Sequence, residues 1–221
     1  MTDCVLLRGY HYSVYTRIVR VALSEKRVAH DIEEIDPFTP GIPKNYLARH
    51  PFGFVPVLSH GAFDIYETAA IVRYVDAAFP GASLVPAVAP ALARATQVVS
   101  IIDSYGYRPM IRQVFAHRVF RPAAGEKPDE GEVEAGLKAA ETVLLALDRI
   151  AEEGLVLEGE TFSIADCHLA PMIAYFVMAP EGYAALGRYP ALAGWWEKTR
   201  ARTSLVLTDP GLPLQAIPSG P

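Results

Sequence analysis

The sequence predicts a small α/β domain over residues 1–80, a linker over 81–89 and an all-helical domain over 90–221. Three observations predict this division. Strand and helix patterns alternate before Pro80, in the order β-α-β followed by β-β-α. A stretch rich in proline and alanine then runs from Pro80 to Pro90. Beyond it, every segment with a clear pattern has helical spacing.

The first half of the α/β domain has the pattern of a β-α-β unit. The apolar run Cys4–Arg8 predicts a strand, with Cys4 in the core. Apolar spacing from Ser13 to Lys26 predicts a helix with Ser13 at its N-cap. Residues 28–35 alternate loosely and predict a second strand. Two strands joined by a helix are expected to pair in parallel with a right-handed crossover.

A hairpin and a helix complete the α/β domain. A loop rich in proline and glycine precedes a predicted helical turn at 46–50. Residues 55–67 contain two short strand patterns around a turn at His60–Gly61, which predicts a hairpin. Residues 68–79 then have the spacing of an amphipathic helix that ends before a Pro-Gly pair.

The C-terminal part has helical patterns until its tail. Residues 91–120 predict one long helix or two, with Pro109 forcing a kink or a break. The tail over 208–221 is too rich in proline and glycine for regular structure, and Cys167 is expected to be buried on a core helix. The other predicted helices are, in order, 133–153, the core helix 163–178 and 190–202.

Composition excludes several classes of function. A net charge of −5 gives no general attraction to nucleic acid or anionic lipid, and no apolar run approaches the ~20 residues of a membrane span. The two cysteines lie far apart, and the six histidines lack metal-ligand spacing, so that no metal is expected. We therefore expect a reduced, cytoplasmic environment.

A proline lies inside the apolar segment "FGFVPVL", residues 52–58. Pro56 has no N–H for a sheet ladder, so that it belongs either to an edge strand with a trans bond or to a turn with a cis bond. A cis bond would leave the backbone of Val55 outside the sheet, where it can pair with a peptide-like ligand. This segment alone leaves both alternatives open.

Glu67 and Thr68 stand where the helix after the hairpin begins. Free N–H groups at a helix N-terminus bind a carboxylate, and Glu67 can accept an ammonium group beside it. Together they predict a receptor for the α-amino acid end of a ligand. Simple helix capping explains the same pair of residues.

Four segments in order resemble the glutathione transferase family, and the resemblance covers nearly the whole chain. They are "HPFGFVPVL", "YETAAI", "FSIADC" and "RYPALAGWWEKTRARTSL". The resemblance implies a thioredoxin-like N-terminal domain, an all-α C-terminal domain and glutathione as co-substrate. It also implies that Val55 pairs with the cysteinyl backbone of glutathione, that Pro56 is the cis-proline, and that Glu67 and Thr68 hold the γ-glutamyl end.

The segment "GYHYSVYTRIVRVALSEK" resembles the serine classes of this family, which implies that the Ser13 hydroxyl faces the glutathione sulfur. A hydroxyl donor at a helix N-terminus stabilises a thiolate, although helix capping alone also explains Ser13. Tyr10 and Tyr12 are rival hydroxyl donors. Phe54 replaces a polar residue that touches glutathione in related classes, and Lys44 lies in the loop whose basic residues meet the glycine carboxylate.

The resemblance places a second substrate, an electrophile, against the first long helix of the helical part. Tyr105, Arg108 and Arg112 on that helix are the candidate electrophile site, with core or dimer-interface positions as the alternative. The leading hypothesis is a glutathione transferase that acts in detoxification and forms a homodimer. The alternatives are a non-catalytic glutathione- or ligand-binding homologue and a protein-interaction domain.

Overall fold

The computed structural model describes residues 4–38 and 41–213. Strands and helices follow one another in its N-terminal part as the sequence predicts. The elements there are β1 (Val5–Gly9), α1 (Val14–Glu25), β2 (Asp31–Glu34), α2 (Lys44–Leu47), β3 (Val57–His60), β4 (Phe63–Tyr66) and α3 (Thr68–Ala78).

The strands form one mixed sheet in the order β2-β1-β3-β4. β1 and β2 run parallel, with Leu7 opposite Ile32, and α1 makes the crossover between them. β1 and β3 run antiparallel, with Leu7 opposite Leu58, and β4 completes the hairpin. Leu7 and Leu58 are fully buried in one cluster with Ile18 and Leu23 of α1. The predicted α/β class of this part is confirmed.

Helices form the regular structure of the remaining described chain, so that the predicted all-helical class is confirmed as well. The core helix α7 contacts α1, and the hydrophobic core therefore runs through both parts. The predicted division at 80 and 89 stays a prediction, and the tail from 214 onward lies outside the described residues. The elements are α4 (Ala89–Ile101), π1 (Ile102–Gly106), π2 (Arg108–Phe120), α5 (Arg121–Ala123), α6 (Glu130–Glu152), α7 (Ile164–Phe176), α8 (Pro180–Leu186), α9 (Pro190–Thr199) and α10 (Thr203–Leu207).

The chain does not break at Pro109. The helix widens into π turns at residue 102, and the Tyr107 N–H donates to the carbonyl of Ile102, five residues back. Tyr107 keeps helical dihedral angles, φ −56° and ψ −49°. Widened turns redistribute the backbone hydrogen bonds around a residue that has no N–H to donate. Of the predicted alternatives, the structure shows one unbroken helical run.

A capping box starts the core helix α7. The Ser163 side chain accepts from the Ala165 N–H at 3.2 Å, and the Ser163 N–H donates to Asp166 at 2.8 Å. The second Asp166 oxygen accepts from the indole N–H of Trp195 at 2.7 Å. Burial raises the pKa of Asp166, although these hydrogen bonds favour its ionised form.

The cysteines differ in their surroundings. Cys167 is buried, as predicted. Cys4 is exposed, so that its predicted core position is wrong, because β1 begins only at Val5. Within residues 4–38 and 41–213, no helix has the length and apolar character that a membrane span requires.

Candidate functional site

A cavity of about 680 Å³ opens between the sheet-containing part and the π-helical run. Its floor comes from the loop before α1, the loop before β3 and the first turn of α3. Its opposite wall comes from π1 and π2. Three separate stretches of the N-terminal part therefore meet at one place, facing a helix from the C-terminal part.

Ser13 lies at the start of α1 on this cavity. Its Oγ accepts from the Thr16 N–H at 3.3 Å, and its own N–H donates to the Tyr10 carbonyl at 2.9 Å. The hydroxyl accepts one hydrogen bond as a cap, which leaves its proton available to a ligand in the cavity. Capping and a role toward a ligand are therefore compatible in Ser13.

Tyr10 and Tyr12 also line the cavity. Their rings meet edge to face with centroids 5.7 Å apart, and Tyr12 lies 5.3 Å from the ring of Phe120 in the opposite wall. Burial, with the charge of Asp36 as a smaller cause, raises the pKa of Tyr10. All three candidate hydroxyls are thus brought to one cavity, and Tyr10 stays protonated at neutral pH.

Val55, Pro56 and Phe54 form the cavity wall before β3. The Val55–Pro56 peptide bond is cis. Because the β1–β3 ladder begins at Val57, the Val55 backbone lies outside it. The carbonyl of Phe54 accepts from the Tyr46 hydroxyl at 2.6 Å, which anchors this loop, while 66% of Phe54 is exposed.

Glu67 and Thr68 lie at the N-terminus of α3, also on the cavity. Glu67 has a positive φ of 69° and makes no side-chain capping hydrogen bond. A positive φ in a residue with a Cβ is uncommon and occurs often at ligand sites. The Glu67 carboxylate is therefore not used as the cap of its own helix, while Thr68 is buried beside the helix N-terminus.

In the wall formed by π1 and π2, every fourth residue from 103 to 115 lines the cavity. Asp103, Tyr107, Ile111 and Phe115 all line the cavity, together with Arg112. The Arg112 guanidinium lies 5.4 Å from the centre of the Phe38 ring, at cation–π distance. This repeat is the sequence signal that would have identified Asp103.

Three predicted site residues lie elsewhere. Tyr105 and Arg108 are exposed and do not line the cavity, because they lie off the face that carries Asp103 and Tyr107. Lys44, at the start of α2, is exposed and is likewise outside the cavity lining. Of the predicted electrophile-site residues, only Arg112 lines the cavity.

Among the lining residues that sequence reasoning missed are three titratable ones, Tyr15, His50 and Asp103. Burial raises the pKa of Tyr15, whose hydroxyl hydrogen-bonds to Asp103. Partial burial, and the negative charge of Glu67 as a smaller cause, raise the pKa of Asp103 to about 6, although the hydrogen bond from Tyr15 opposes this. The cavity therefore holds two neighbouring carboxyl groups, one with an elevated pKa.

His50 lies under the loop before β3 and is only 3% exposed. Its ring stacks on Tyr66 at 4.6 Å, and its Nδ1 has no partner among the described residues. Burial lowers its pKa. A His50 that stays neutral supports the floor of the cavity without adding a charge to it.

Two family models match this chain. The model for "Glutathione S-transferase, N-terminal domain" matches residues 7–83, and that for "Glutathione S-transferase, C-terminal domain" matches residues 130–197. Glutathione S-transferase 3 of Zea mays is 29% identical, with 96% of this chain and 97% of that protein aligned.

A probable glutathione S-transferase of Oryza sativa subsp. japonica is 31% identical, with 86% of this chain and 87% of that protein aligned. The structure resembles that of glutathione S-transferase III in its apo form with a TM-score of 0.83 and 26% identity, over 97% of this chain and 100% of the other. The chain belongs to the glutathione S-transferase family.

Proposed function

We propose that this protein is a glutathione transferase, in which a glutathione thiolate attacks a small electrophile. The observation that carries this proposal is the meeting of Ser13, Val55 and the Glu67–Thr68 pair around one cavity. A tripeptide thiol requires an anion site, a backbone partner and a hydroxyl near its sulfur. The floor of the cavity offers these three groups from three separate loops.

Each part of glutathione has a proposed partner. The γ-glutamyl carboxylate binds at the N-terminus of α3, where Thr68 offers its N–H and hydroxyl. The neighbouring ammonium group faces the carboxylate of Glu67, with Asp103 on the same cavity. The cysteinyl backbone pairs with Val55, whose backbone lies outside the sheet ladder.

The proposed chemistry requires a thiolate near neutral pH. A free thiol has a pKa of about 8.5, and a hydroxyl donor together with a helix N-terminus lowers it. Ser13 supplies both, because it offers its hydroxyl proton at the start of α1. Tyr10 and Tyr12 remain the rival donors. The protein's contribution is binding, orientation and stabilisation of the anion.

The test is a glutathione titration that follows the ultraviolet absorbance of the thiolate, with conjugation of an aromatic electrophile as the second measurement. If Ser13 is the donor, Ser13→Ala lowers kcat by about 100-fold and raises the thiol pKa. Tyr10→Phe and Tyr12→Phe then stay within about threefold of wild type. A dominant effect of either tyrosine would assign the role to that residue instead.

Ser13→Ala also removes a helix cap, so that it needs a matched control. Asp129 caps α6 by accepting from the Glu132 N–H and lies outside the cavity lining. Asp129→Ala is expected to cost a similar ~1 kcal/mol of stability without changing the thiol pKa. An equal loss of activity in both variants would mean that Ser13 is only a cap.

Arg112 and the aromatic residues on both sides support the proposal for the electrophile site. Phe38, Tyr107 and Phe115 offer apolar or aromatic surface, and Arg112 can pair with an anionic substituent. This arrangement favours a flat apolar electrophile that carries a negative group. Conjugation, peroxide reduction, dehalogenation, ether cleavage and isomerisation can all begin from the same thiolate.

The second candidate is a non-catalytic glutathione- or ligand-binding homologue. Phe54 favours it, because this apolar ring lines the cavity where a polar side chain would contact the tripeptide. Glutathione binding without thiolate formation at neutral pH would support the second candidate. No glutathione binding at all would contradict both.

A homodimer is part of the proposal. The exposed aromatic residues Phe52 and Phe63, at 64% and 48% exposure, support a surface that a partner covers. Light scattering of the purified protein tests this, and twice the chain mass of 24.1 kDa is the expected result. A monomer at micromolar concentration would contradict it.

A further inference from the structure

Val55 has a free backbone on the main cavity. Its N–H and its carbonyl make no hydrogen bond with any residue in 4–38 or 41–213. Val55 lines the cavity, so that both groups are available to an extended ligand there. The proposed function fills this position with the cysteinyl residue of glutathione.

The pairing with Val55 also determines where the third residue of the tripeptide lies. Tyr66 is paired with Val57 in the hairpin. Because α3 begins two residues after Tyr66, its N-terminus lies on the Pro56 side of Val55. The γ-glutamyl end is proposed to bind there. A ligand that runs antiparallel to the chain from this side continues, beyond Val55, toward Phe54. The glycine of glutathione is therefore expected beside Phe54.

Phe54 offers this third residue an apolar surface. Its side chain lines the cavity and is open to solvent, with 66% of the residue exposed. Its carbonyl accepts from the Tyr46 hydroxyl at 2.6 Å, which fixes the backbone that carries the ring. The Phe54 ring meets the ring of His50 edge to face, with centroids 6.3 Å apart. Burial lowers the pKa of His50, so that this neighbour adds no charge at pH 7.

The charges of the cavity lining do not favour a carboxylate at the third residue. Arg112 is the single arginine or lysine among the described residues of the lining. It lies in the opposite wall with its guanidinium over the Phe38 ring, and it is the proposed partner of the electrophile. Lys44 is exposed and outside the lining. The lining also contains the carboxyl groups of Glu67 and Asp103, which repel a second negative charge on the ligand.

We propose that Phe54 selects the C-terminal end of the thiol co-substrate, and that the preferred co-substrate is a γ-glutamylcysteinyl thiol whose third residue ends in an uncharged apolar group. This inference rests on the proposed function, because it names the class of thiol that the proposed glutathione site takes. The terminal group packs on the Phe54 ring and removes apolar surface from water. Glutathione itself still binds, with its glycine carboxylate in solvent.

The two isomeric monoethyl esters of S-methylglutathione test this proposal, because each lacks one of the two carboxylates. The S-methyl group makes the measurement independent of thiolate formation. Calorimetry on the intact chain compares both esters with S-methylglutathione. The glycyl ester is expected to bind at least about threefold more tightly. The γ-glutamyl ester is expected to bind at least about tenfold more weakly, because it lacks the anion proposed to bind at the N-terminus of α3.

Phe54→Gln is expected to remove the preference for the glycyl ester, while the affinity for S-methylglutathione stays within about threefold of wild type. Because Phe54 is exposed, this substitution leaves no void in the core. Tyr183→Gln is the matched control. Tyr183 is an aromatic residue of α8 with 62% exposure, and it lies outside the cavity lining. Its substitution should leave all three affinities unchanged.

Three results would overturn the proposal. A glycyl ester that binds no more tightly than S-methylglutathione would show that the apolar group is not preferred. A loss of S-methylglutathione affinity, but not of ester affinity, in Lys44→Gln or Arg112→Gln would show that a cation holds the glycine carboxylate. A preference for the glycyl ester that survives in Phe54→Gln would remove Phe54 as its cause.

Failure of this inference and failure of the proposed function give different results. Binding of S-methylglutathione without a preference for its glycyl ester would contradict this inference alone, because the glutathione site would still be occupied. If none of the three ligands binds, the proposed glutathione site and this inference both fail.

Discussion

Two titratable side chains, Asp103 at the rim of the cavity and the buried His168, depart from their usual pKa in opposite directions. Asp103 has a pKa raised to about 6 by burial, while His168 has one lowered to about 4 by burial. In both cases the neutral form is favoured, because low-dielectric surroundings disfavour charge of either sign. Their effects on stability therefore have opposite signs over nearly the same pH range, from about 4 to about 6.

Asp103→Asn is expected to raise the free energy of unfolding, relative to wild type, more at pH 7.5 than at pH 3.5. The folded state binds the Asp103 proton more tightly than the unfolded state, so that wild type loses stability as pH rises from about 4 to about 6. Because Asp103 lies at the partly solvated cavity rim, the gain is about 1 kcal/mol or less. Denaturant unfolding of both proteins at the two pH values measures it. A difference that does not change with pH would contradict an elevated Asp103 pKa.

His168 gives the opposite dependence. The unfolded chain protonates this ring below pH 6.5, whereas the folded protein does so only near pH 4, so that stability falls as pH falls between these values. His168→Gln removes this dependence. The free energy of unfolding of the variant relative to wild type should therefore rise by about 2–3 kcal/mol between pH 7.5 and pH 4.5. A constant difference would show that His168 titrates normally in the fold.

At the scale of single elements, the start of α7 links local capping to the packing of the core. Ser163 and Asp166 satisfy the first N–H groups of the helix, and the same carboxylate accepts from Trp195 on α9. The Ile164 N–H donates to the Leu84 carbonyl at 2.8 Å, which fixes the connection before α4 to the start of α7. The start of α7 is therefore joined both to α9 and to the connection before α4.

Asp166→Ala is expected to destabilise the fold by about 3–5 kcal/mol. It leaves the Trp195 and Ser163 donors buried without a partner, which costs more than the loss of an exposed cap. Asp129→Ala removes the cap of α6 at an exposed position and should cost about 1 kcal/mol. Urea unfolding of both variants measures the difference. Equal costs would mean that the contact with Trp195 adds nothing to capping.

Helices and strands with a regular apolar period were predictable from the sequence, because their burial follows the same period. The core of α1 and the parallel pairing of β1 and β2 are examples. The passage of the helix through Pro109 was not, because the widened turns depend on hydrogen bonds of the whole run. Elements whose structure depends on residues near in sequence can therefore be predicted from short stretches of sequence.

The candidate site was predictable only in part for the same reason. Ser13, Val55, Glu67 and Thr68 belong to short segments whose local chemistry suggests a ligand. Tyr15 and His50 have no such local signal, since their place on the cavity follows from the packing of separate elements. Asp103 is marked only by the four-residue repeat that it shares with Tyr107. Tyr105 and Arg108 were wrongly predicted for the opposite reason. Their residue types suggested a site, but both lie on an exposed face of the helix that does not line the cavity.

At the scale of the whole molecule, the short C-terminal helix α10 is tied back to α1. Arg202 donates to both carboxylate oxygens of Glu25, at 2.7 and 2.8 Å, and Ser204 donates to the same carboxylate. The Arg202 guanidinium also lies 4.3 Å from the centre of the Phe162 ring. Burial raises the pKa of Glu25, but the hydrogen bonds from Arg202 and Ser204 outweigh it, so that the net shift is downward.

Arg202→Gln is therefore expected to lower the free energy of unfolding by about 1–3 kcal/mol at pH 7. Arg200→Gln is the matched control, because Arg200 pairs with Glu197 on the surface of α9 and should cost less than about 1 kcal/mol. A lowered pKa of Glu25 stabilises the fold above its unfolded value of 4.5, and this contribution is lost as pH falls through the folded value. The deficit of Arg202→Gln should thus shrink below about pH 4.5, as denaturant unfolding across pH can measure. A deficit that persists in acid would assign the role of Arg202 to its contact with Phe162 rather than to the ion pair that joins the end of α1 to the start of α10.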